Sequence, residues 1–212
     1  MKKYILFDND GVLVETERWY YEASIKALHE LGVELNFEEY MEAMTLGGGV
    51  WGKAHAQGIS QQSIDDARNR RNVYYQEYLK SKDLLIEGVI DTLHTLSKDF
   101  KMGIVTTSRR VDFEIIHKNR GIVEFMDFVL CEGEYPRAKP HPDPYLKGLN
   151  LFDASKDQAI IVEDSERGLR SAVSAEIECV IVANEFTKTQ DFSKADYQIE
   201  KISNLPSLLN TI

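Results

Sequence analysis

The sequence predicts a doubly wound α/β core of mostly parallel strands, with an all-helical domain inserted after its first strand. Three observations predict it. The apolar run Tyr4-Ile-Leu-Phe7 stops abruptly at Asp8-Asn-Asp10-Gly11, as a buried strand does where it meets a turn. No strand-like run follows between Val14 and about Leu84. From Gly88 onward, short apolar runs alternate with helical periodicity, which is the pattern of βαβ units around a parallel sheet.

Each element has its own signal. Asp8 stands where the first strand ends and Asp10 just beyond it, with Gly11 permitting a sharp turn. Trp19, Tyr20, Ala23, Ile25, Ala27, Leu28 and Leu31 recur at helical spacing, with Thr16 as a candidate N-cap and Gly32 just past the end. A second helix is expected from about Phe37 to Met44. Gly47-Gly48-Gly49 breaks the pattern, and a long polar helix is expected from Ser60 to about Leu79. A separate helical domain over 16–82, inserted into a core made of 1–15 and 83–212, accounts for this stretch.

The second half supplies a helix near Val89–Ser97, a strand at Met102–Thr106 and a helix over Val111–Arg120 closed by Gly121. A strand near Phe128–Leu130 is followed by the proline-rich loop from Tyr135 to Pro144 and a helix through Tyr145–Leu149. A strand at Ala159–Val162, a helix at Arg167–Ala175 and a strand at Cys179–Val182 come next. Tyr197-Gln-Ile reads as an edge strand and Leu205–Leu209 as a short helix.

Composition narrows the function. A length of 212 residues, 43% hydrophobic and 28% charged content describe an ordinary globular protein. A formal net charge of −10 argues against nucleic acid or an anionic membrane as the main partner, since both require a basic footprint. It leaves room for an anionic small molecule, because local groups and a bound cation set the field within a site. Cys131 and Cys179 are too few for a disulfide framework and are expected to be reduced and at least partly buried. No run is long enough for a signal peptide or a membrane span, so the cytoplasm is the expected location.

Chemistry gathers at the strand ends. In open α/β sheets ligands bind beyond the carboxyl ends of the strands. There the first strand delivers Asp8 and Asp10, and the second Thr106-Thr107-Ser108, whose hydroxyls and N–H groups suit phosphate oxygens. Lys139 lies in the next crossover before Pro140, and the following strand ends in Glu163-Asp164-Ser165. Two carboxylates side by side repel unless a cation or proton separates them. A calcium loop is rejected, because setting Gly11 at its sixth position puts Leu6 where an oxygen ligand is required. Gly47–Ala54 approaches a P-loop, but Ala54 offers no hydroxyl and a helical pattern precedes it.

In the order Asp8-Asn-Asp10-Gly-Val-Leu, Ile104-Val-Thr106-Thr107-Ser, Lys139-Pro-His-Pro-Asp-Pro-Tyr and Val162-Glu163-Asp164-Ser-Glu-Arg-Gly168, the sequence resembles the haloacid dehalogenase superfamily. The branch it resembles carries a helical cap after the first strand on a Rossmann-like core. A receiver-type signalling module is set aside, since its phosphate acceptor lies on a mid-chain strand and it has no such cap. The resemblance implies a magnesium-dependent phosphatase acting on a small phosphorylated metabolite, such as a sugar phosphate. It makes Asp8 the nucleophile that forms an aspartyl-phosphate and Asp10 the general acid and base. It places Mg2+ on the Asp8 carboxylate, the Asp10 backbone carbonyl and Asp164, and phosphate on Thr106, Thr107 and Lys139. Glu163 either binds the metal through water or steadies the site.

Within that branch the sugar-phosphate mutases show a His early in the first cap helix and a Lys-Gly-x-x-Arg-like cap motif. Tyr20, Tyr21 and Leu46-Gly-Gly-Gly-Val50 stand here instead. Hydrolysis is therefore the expected reaction. A mutase is the first alternative, and a non-catalytic phosphate-binding or regulatory protein the second. Trp51, Lys53 and His55 are candidates for substrate selection in the cap, and Arg109, Arg110 and Arg137 lie near motif residues.

Overall fold

The computed structural model describes residues 1–46 and 49–212; Gly47 and Gly48, where the helical pattern was expected to break, lie outside the described residues. The chain divides into two compact units, one formed by Met1–Glu15 with Leu84–Ile212 and the other by Thr16–Asp83.

The first unit is the expected doubly wound parallel core. Its strands are β1 (Tyr4–Phe7), β2 (Lys101–Val105), β3 (Phe128–Leu130), β4 (Ala159–Glu163), β5 (Cys179–Ile181) and β6 (Tyr197–Gln198). They lie in the order β3-β2-β1-β4-β5-β6, all paired in parallel. The chain winds outward in one direction from β1 through β2 to β3 and in the other from β4 through β5 to β6. The reversal point lies between β1 and β4, where such sheets bind ligands. Every residue of β4 is buried, as are Ile5, Leu6 and Phe7, because helices cover both faces of a parallel sheet. On one face Leu6, Val105, Ile161 and Ile181 pack with Tyr145, Leu149, Leu169 and Ala172.

The crossover helices are α5 (Val89–Leu96), α6 (Arg110–His117), α7 (Asp143–Leu151) and α8 (Glu166–Ala175), and α9 (Leu205–Leu209) closes the chain. α6 ends at His117 rather than at Arg120. Lys118 turns extended and Asn119 takes a φ of 61°, which a helix cannot continue through. Cys131 and Cys179 are free and buried, as expected.

The second unit contains α1 (Glu17–His29), α2 (Phe37–Thr45), α3 (Gly52–Ala56) and α4 (Gln61–Ser81). α1 and α4 are joined by Glu30, which accepts from Arg70 and from the Tyr74 hydroxyl, and by Tyr20 set edge-on to Tyr75. Ala27, Leu28, Tyr40, Trp51, Ala54 and Ile64 form its core. Asn36 and Glu39 close a capping box on α2, and Ser60 caps α4. Thr16, the candidate cap of α1, makes no side-chain capping bond; it is buried instead. α3 is an element the sequence pattern does not reveal, being only five residues long. Among the described residues no helix is long and apolar enough to cross a membrane.

Candidate active site

β1 sits between β2 and β4, with Phe7 level with Ile104 on one side and Val162 on the other. The residues that follow these strands are thereby brought to one edge of the sheet. Asp8 N–H still donates to Val162 O at 2.9 Å, after which the backbone leaves the sheet. It turns tightly, with Gly11 N–H donating to Val14 O at 2.8 Å and Leu13 N–H to Asn9 O at 2.9 Å. Gly11 has a φ of +81°, and a Cβ there would lie 2.2 Å from Asp164 Oδ2 and 2.7 Å from Asn184 Nδ2. Only glycine allows this turn to approach the loop after β4 so closely.

Lys139 ties two of the strand ends together. Its ammonium donates at 2.7 Å to Asp8 Oδ1, at 2.7 Å to Glu163 Oε1 and at 3.0 Å to Val105 O. Burial would pull its pKa down, but Asp8 and Glu163 outweigh this and hold it above the usual lysine range. Burial pushes the Asp8 carboxyl up to about 7, against the pull of Lys139 and with added repulsion from Glu163 and Asp10.

The Glu163 carboxylate is hydrogen-bonded on both oxygens. Oε1 accepts from Lys139 and, at 2.6 Å, from the Tyr145 hydroxyl; Oε2 accepts from Asp164 N–H and the Ser165 hydroxyl, both at 3.1 Å. Burial opposes its ionised form, but Lys139 and these donors keep its pKa below the usual glutamate range. With its oxygens committed in this way, Glu163 is built to hold Lys139 and the β4 loop.

Asp10 has a different environment. Its Oδ2 accepts from the Ser108 hydroxyl at 2.7 Å and the Thr106 hydroxyl at 3.1 Å. Thr106 Oγ1 in turn accepts from Ser108 N–H at 3.0 Å, while the Tyr135 hydroxyl donates to Thr106 O at 2.8 Å. The loop after β2 therefore points its hydroxyls at Asp10. Thr107, the next residue, accepts from the Arg167 guanidinium at 3.3 Å.

Oxygen atoms of Asp8, Glu163 and Asp164 all lie within 4.8 Å of one another. Such a set of hard anionic donors fits a small divalent cation and does not suit a soft metal. The Asp10 carboxylate is not part of this cluster; the resemblance assigns the metal to that residue's backbone carbonyl instead.

Of the further neighbours of these acids, Ser108 is expected at the site for its hydroxyl, whereas Tyr145 and Asn184 carry no functional signal in the sequence. Ser108 on Asp10, Tyr145 on Glu163, and Asn184, whose amide donates to Asp164 Oδ2 at 2.7 Å, all touch the acidic groups. Beneath the turn, fully buried Asn9 accepts from His117 Nε2 at 2.7 Å. Burial depresses the His117 pKa to about 4, with Asp10 opposing and Arg120 reinforcing the shift. Arg109, Arg110 and Arg137 are each engaged by an acid, Asp112, Glu134 and Asp143 respectively. In the helical unit Trp51 is a core residue and Lys53 pairs with Glu39 at 2.7 Å.

A family model described as haloacid dehalogenase-like hydrolase matches residues 5–182. The chain belongs to this family. Among haloacid dehalogenase-like relatives, protein CbbY of Rhodobacter capsulatus is 26% identical over 213 residues, covering 95% of this chain and 94% of that protein. Pyrophosphatase PpaX of Bacillus mycoides is 26% identical over 215 residues, covering 98% and 97%. The crystal structure of CbbY from Rhodobacter sphaeroides in complex with phosphate shares the fold, with a TM-score of 0.81 at 24% identity over 97% of this chain and 96% of that one. So does a predicted phosphoglycolate phosphatase from Haemophilus somnus, with a TM-score of 0.85 at 22% identity over 98% of both chains. The expected enzyme class, phosphoric monoester hydrolase, is the one these relatives support.

Proposed function

We propose that this protein hydrolyses a small phosphorylated metabolite, such as a sugar phosphate, with Mg2+ at the Asp8–Asp164 cluster. The observation that carries this reading is the contrast between two carboxylates on one turn. Asp8 lies against an ammonium, which opposes the upward push of burial on its pKa and aims one of its oxygens. Asp10 carries no ammonium contact of this kind; the Thr106 and Ser108 hydroxyls hold its Oδ2 and fix where its carboxyl faces.

In this reading an Asp8 oxygen attacks phosphorus, and the ester P–O bond breaks as Asp10 gives its proton to the departing alkoxide. Water then attacks the aspartyl-phosphate, Asp10 takes a proton from it, and inorganic phosphate leaves with Asp8 restored. Lys139 and the hydroxyls and N–H groups at Thr106 and Thr107 offset the charge on the phosphoryl oxygens. Bound at Asp8, the Asp10 carbonyl and Asp164, Mg2+ would supply further charge neutralisation at phosphorus. In sequence, the helical unit 16–83 occupies the place of the domain that, by the resemblance, selects the leaving group. Two structures of CbbY from Rhodobacter sphaeroides favour an anionic substrate class: one holds phosphate, and the other, of a variant, holds xylulose-1,5-bisphosphate.

The test is inorganic phosphate release from a panel of sugar phosphates, small phospho-acids, nucleotides and pyrophosphate. It is run with Mg2+, after chelation, and with Asp8→Asn. Release from a subset, lost on chelation and in the folded variant, is expected. Near-normal release by Asp8→Asn would remove Asp8 as nucleophile. Turnover that conserves organic phosphate and requires a bisphosphate activator would identify a mutase instead.

A further inference from the structure

Asp164 is the one carboxylate of the cluster whose neighbours the family motifs do not account for. We propose that Asn184, in the loop after β5, is its positioning residue and sets the affinity of the cation site. This inference rests on the metal-dependent reading above.

The geometry fixes which way the Asn184 amide faces. Its Oδ1 accepts from Phe186 N–H at 2.9 Å, Thr187 N–H at 3.2 Å and the Thr187 hydroxyl at 3.3 Å. Turning the amide over would set its NH2 against three donors. The NH2 is therefore committed to the other side, where it donates to Asp164 Oδ2 at 2.7 Å and approaches Gly11 O at 3.5 Å. Thr187 locks the arrangement from behind: it is 4% exposed, and its Oγ1 also accepts from Asn184 N–H at 3.1 Å. Gly11 completes the enclosure, since a Cβ there would strike both Asp164 Oδ2 and Asn184 Nδ2.

The chemistry of the donor matters as much as its place. Lys139 holds Asp8 and Glu163 with a positive charge, which cancels part of the attraction those acids exert on a cation. An amide orients Asp164 without adding positive charge, so this contact cancels none of the carboxylate's attraction for a metal. Hydrogen-bonded partners of ligating carboxylates fix their orientation, and losing one costs about 10–100-fold in metal affinity or activity.

The test is Mn2+ binding to the full-length chain, followed by electron paramagnetic resonance, with Mg2+ as competitor. Asn184→Leu removes the donor at similar size, Thr187→Val loosens the amide while leaving it in place, and Lys188→Ala alters an exposed neighbour in the same loop. Circular dichroism checks that each variant is folded. Asn184→Leu is expected to weaken Mn2+ binding about 10–100-fold, Thr187→Val to weaken it less, and Lys188→Ala to leave it unchanged. In turnover, kcat at saturating Mg2+ is expected to recover while the Mg2+ concentration required rises. Wild-type binding with unchanged affinity in Asn184→Leu overturns the positioning role alone; if that variant does not fold, unchanged affinity in Thr187→Val does the same. Absence of Mn2+ binding by the wild-type chain overturns the metal reading and this inference with it.

Discussion

Gly168 leaves no room for a side chain beside Glu163: a Cβ added there would lie 1.9 Å from the Glu163 carboxyl carbon. Gly168 stands in the first turn of α8, with its N–H donating to the Ser165 hydroxyl that also binds Glu163. A glycine in a helix is otherwise a cost, roughly 1 kcal/mol relative to alanine. Its presence is explained by the carboxylate it admits.

Gly168→Ala therefore sets helix propensity against packing. Glu163 cannot swing aside, because Lys139, Tyr145, Asp164 N–H and Ser165 all hold it. Overpacking of this kind costs about 1–3 kcal/mol, so the variant is expected to be less stable in urea unfolding and to lose phosphate release. A variant more stable than wild type would mean that the Glu163 network yields without penalty.

Glu163→Gln tests the same network by charge instead of volume. A carboxylate accepts on both oxygens, whereas an amide offers one oxygen and one NH2. Either orientation puts that NH2 against a group that can only donate, the Lys139 ammonium or Asp164 N–H. Hydrogen bonds to charged groups contribute about 1.5–3 kcal/mol each. The variant is expected to lose on the order of 3 kcal/mol of unfolding free energy. Phosphate release should fall as well, because Lys139 loses one of the two acids that fix its ammonium. Unchanged stability would show that Glu163 is not the anchor of Lys139.

What the sequence revealed and what it hid divide along one physical line. Asp8, Asp10, Thr106, Lys139 and Asp164 stand at or between the ends of short apolar runs. A parallel sheet brings such ends to one edge whatever lies between them, so their convergence follows from the alternation of elements alone. Tyr145, Asn184 and His117 act through contacts that depend on how loops and helices pack across the sheet. Asn184 reaches Asp164 only because the backbone after β5 folds back over Gly11, and no periodicity records that. Thr16 shows the converse: a good capping residue by type, it is buried without capping α1. Trp51, a candidate for substrate selection by residue type, fills the core of its own unit.

The pairing of buried Asn9 with half-buried His117 predicts a stability change with pH. His117 is held neutral, its pKa depressed to about 4 by burial, whereas in the unfolded chain it titrates near 6.5. As pH falls through about 6.5 the unfolded chain takes up a proton that the folded chain refuses until about 4. Stability attributable to His117 is therefore full above about pH 6.5, falls between 6.5 and 4, and changes no further below. The loss is at most on the order of 3 kcal/mol. His117→Gln retains a donor for Asn9 Oδ1 without titrating. The stability difference between wild type and variant, followed by urea unfolding across this range, is expected to shrink on the acid side. A difference independent of pH would show that His117 is not held neutral.

Glu176 ends α8 with a φ of 58° and ψ of 41°, the left-handed conformation that costs a residue with a Cβ and favours glycine. Among the described residues its carboxylate pairs with Lys156, at 2.5 Å across an exposed surface, where an ion pair contributes little. A carboxylate at a helix C-terminus also faces the negative end of the dipole. Glu176→Gly relieves the backbone and removes that repulsion while losing only the weak pair, so its unfolding midpoint is expected to rise. Glu176→Ala loses the pair but keeps the Cβ in the left-handed region, so its midpoint is expected to lie below that of the glycine variant. Thermal unfolding of the two variants beside the wild type measures the order directly. If alanine equals glycine, the backbone at 176 is not the source of the cost.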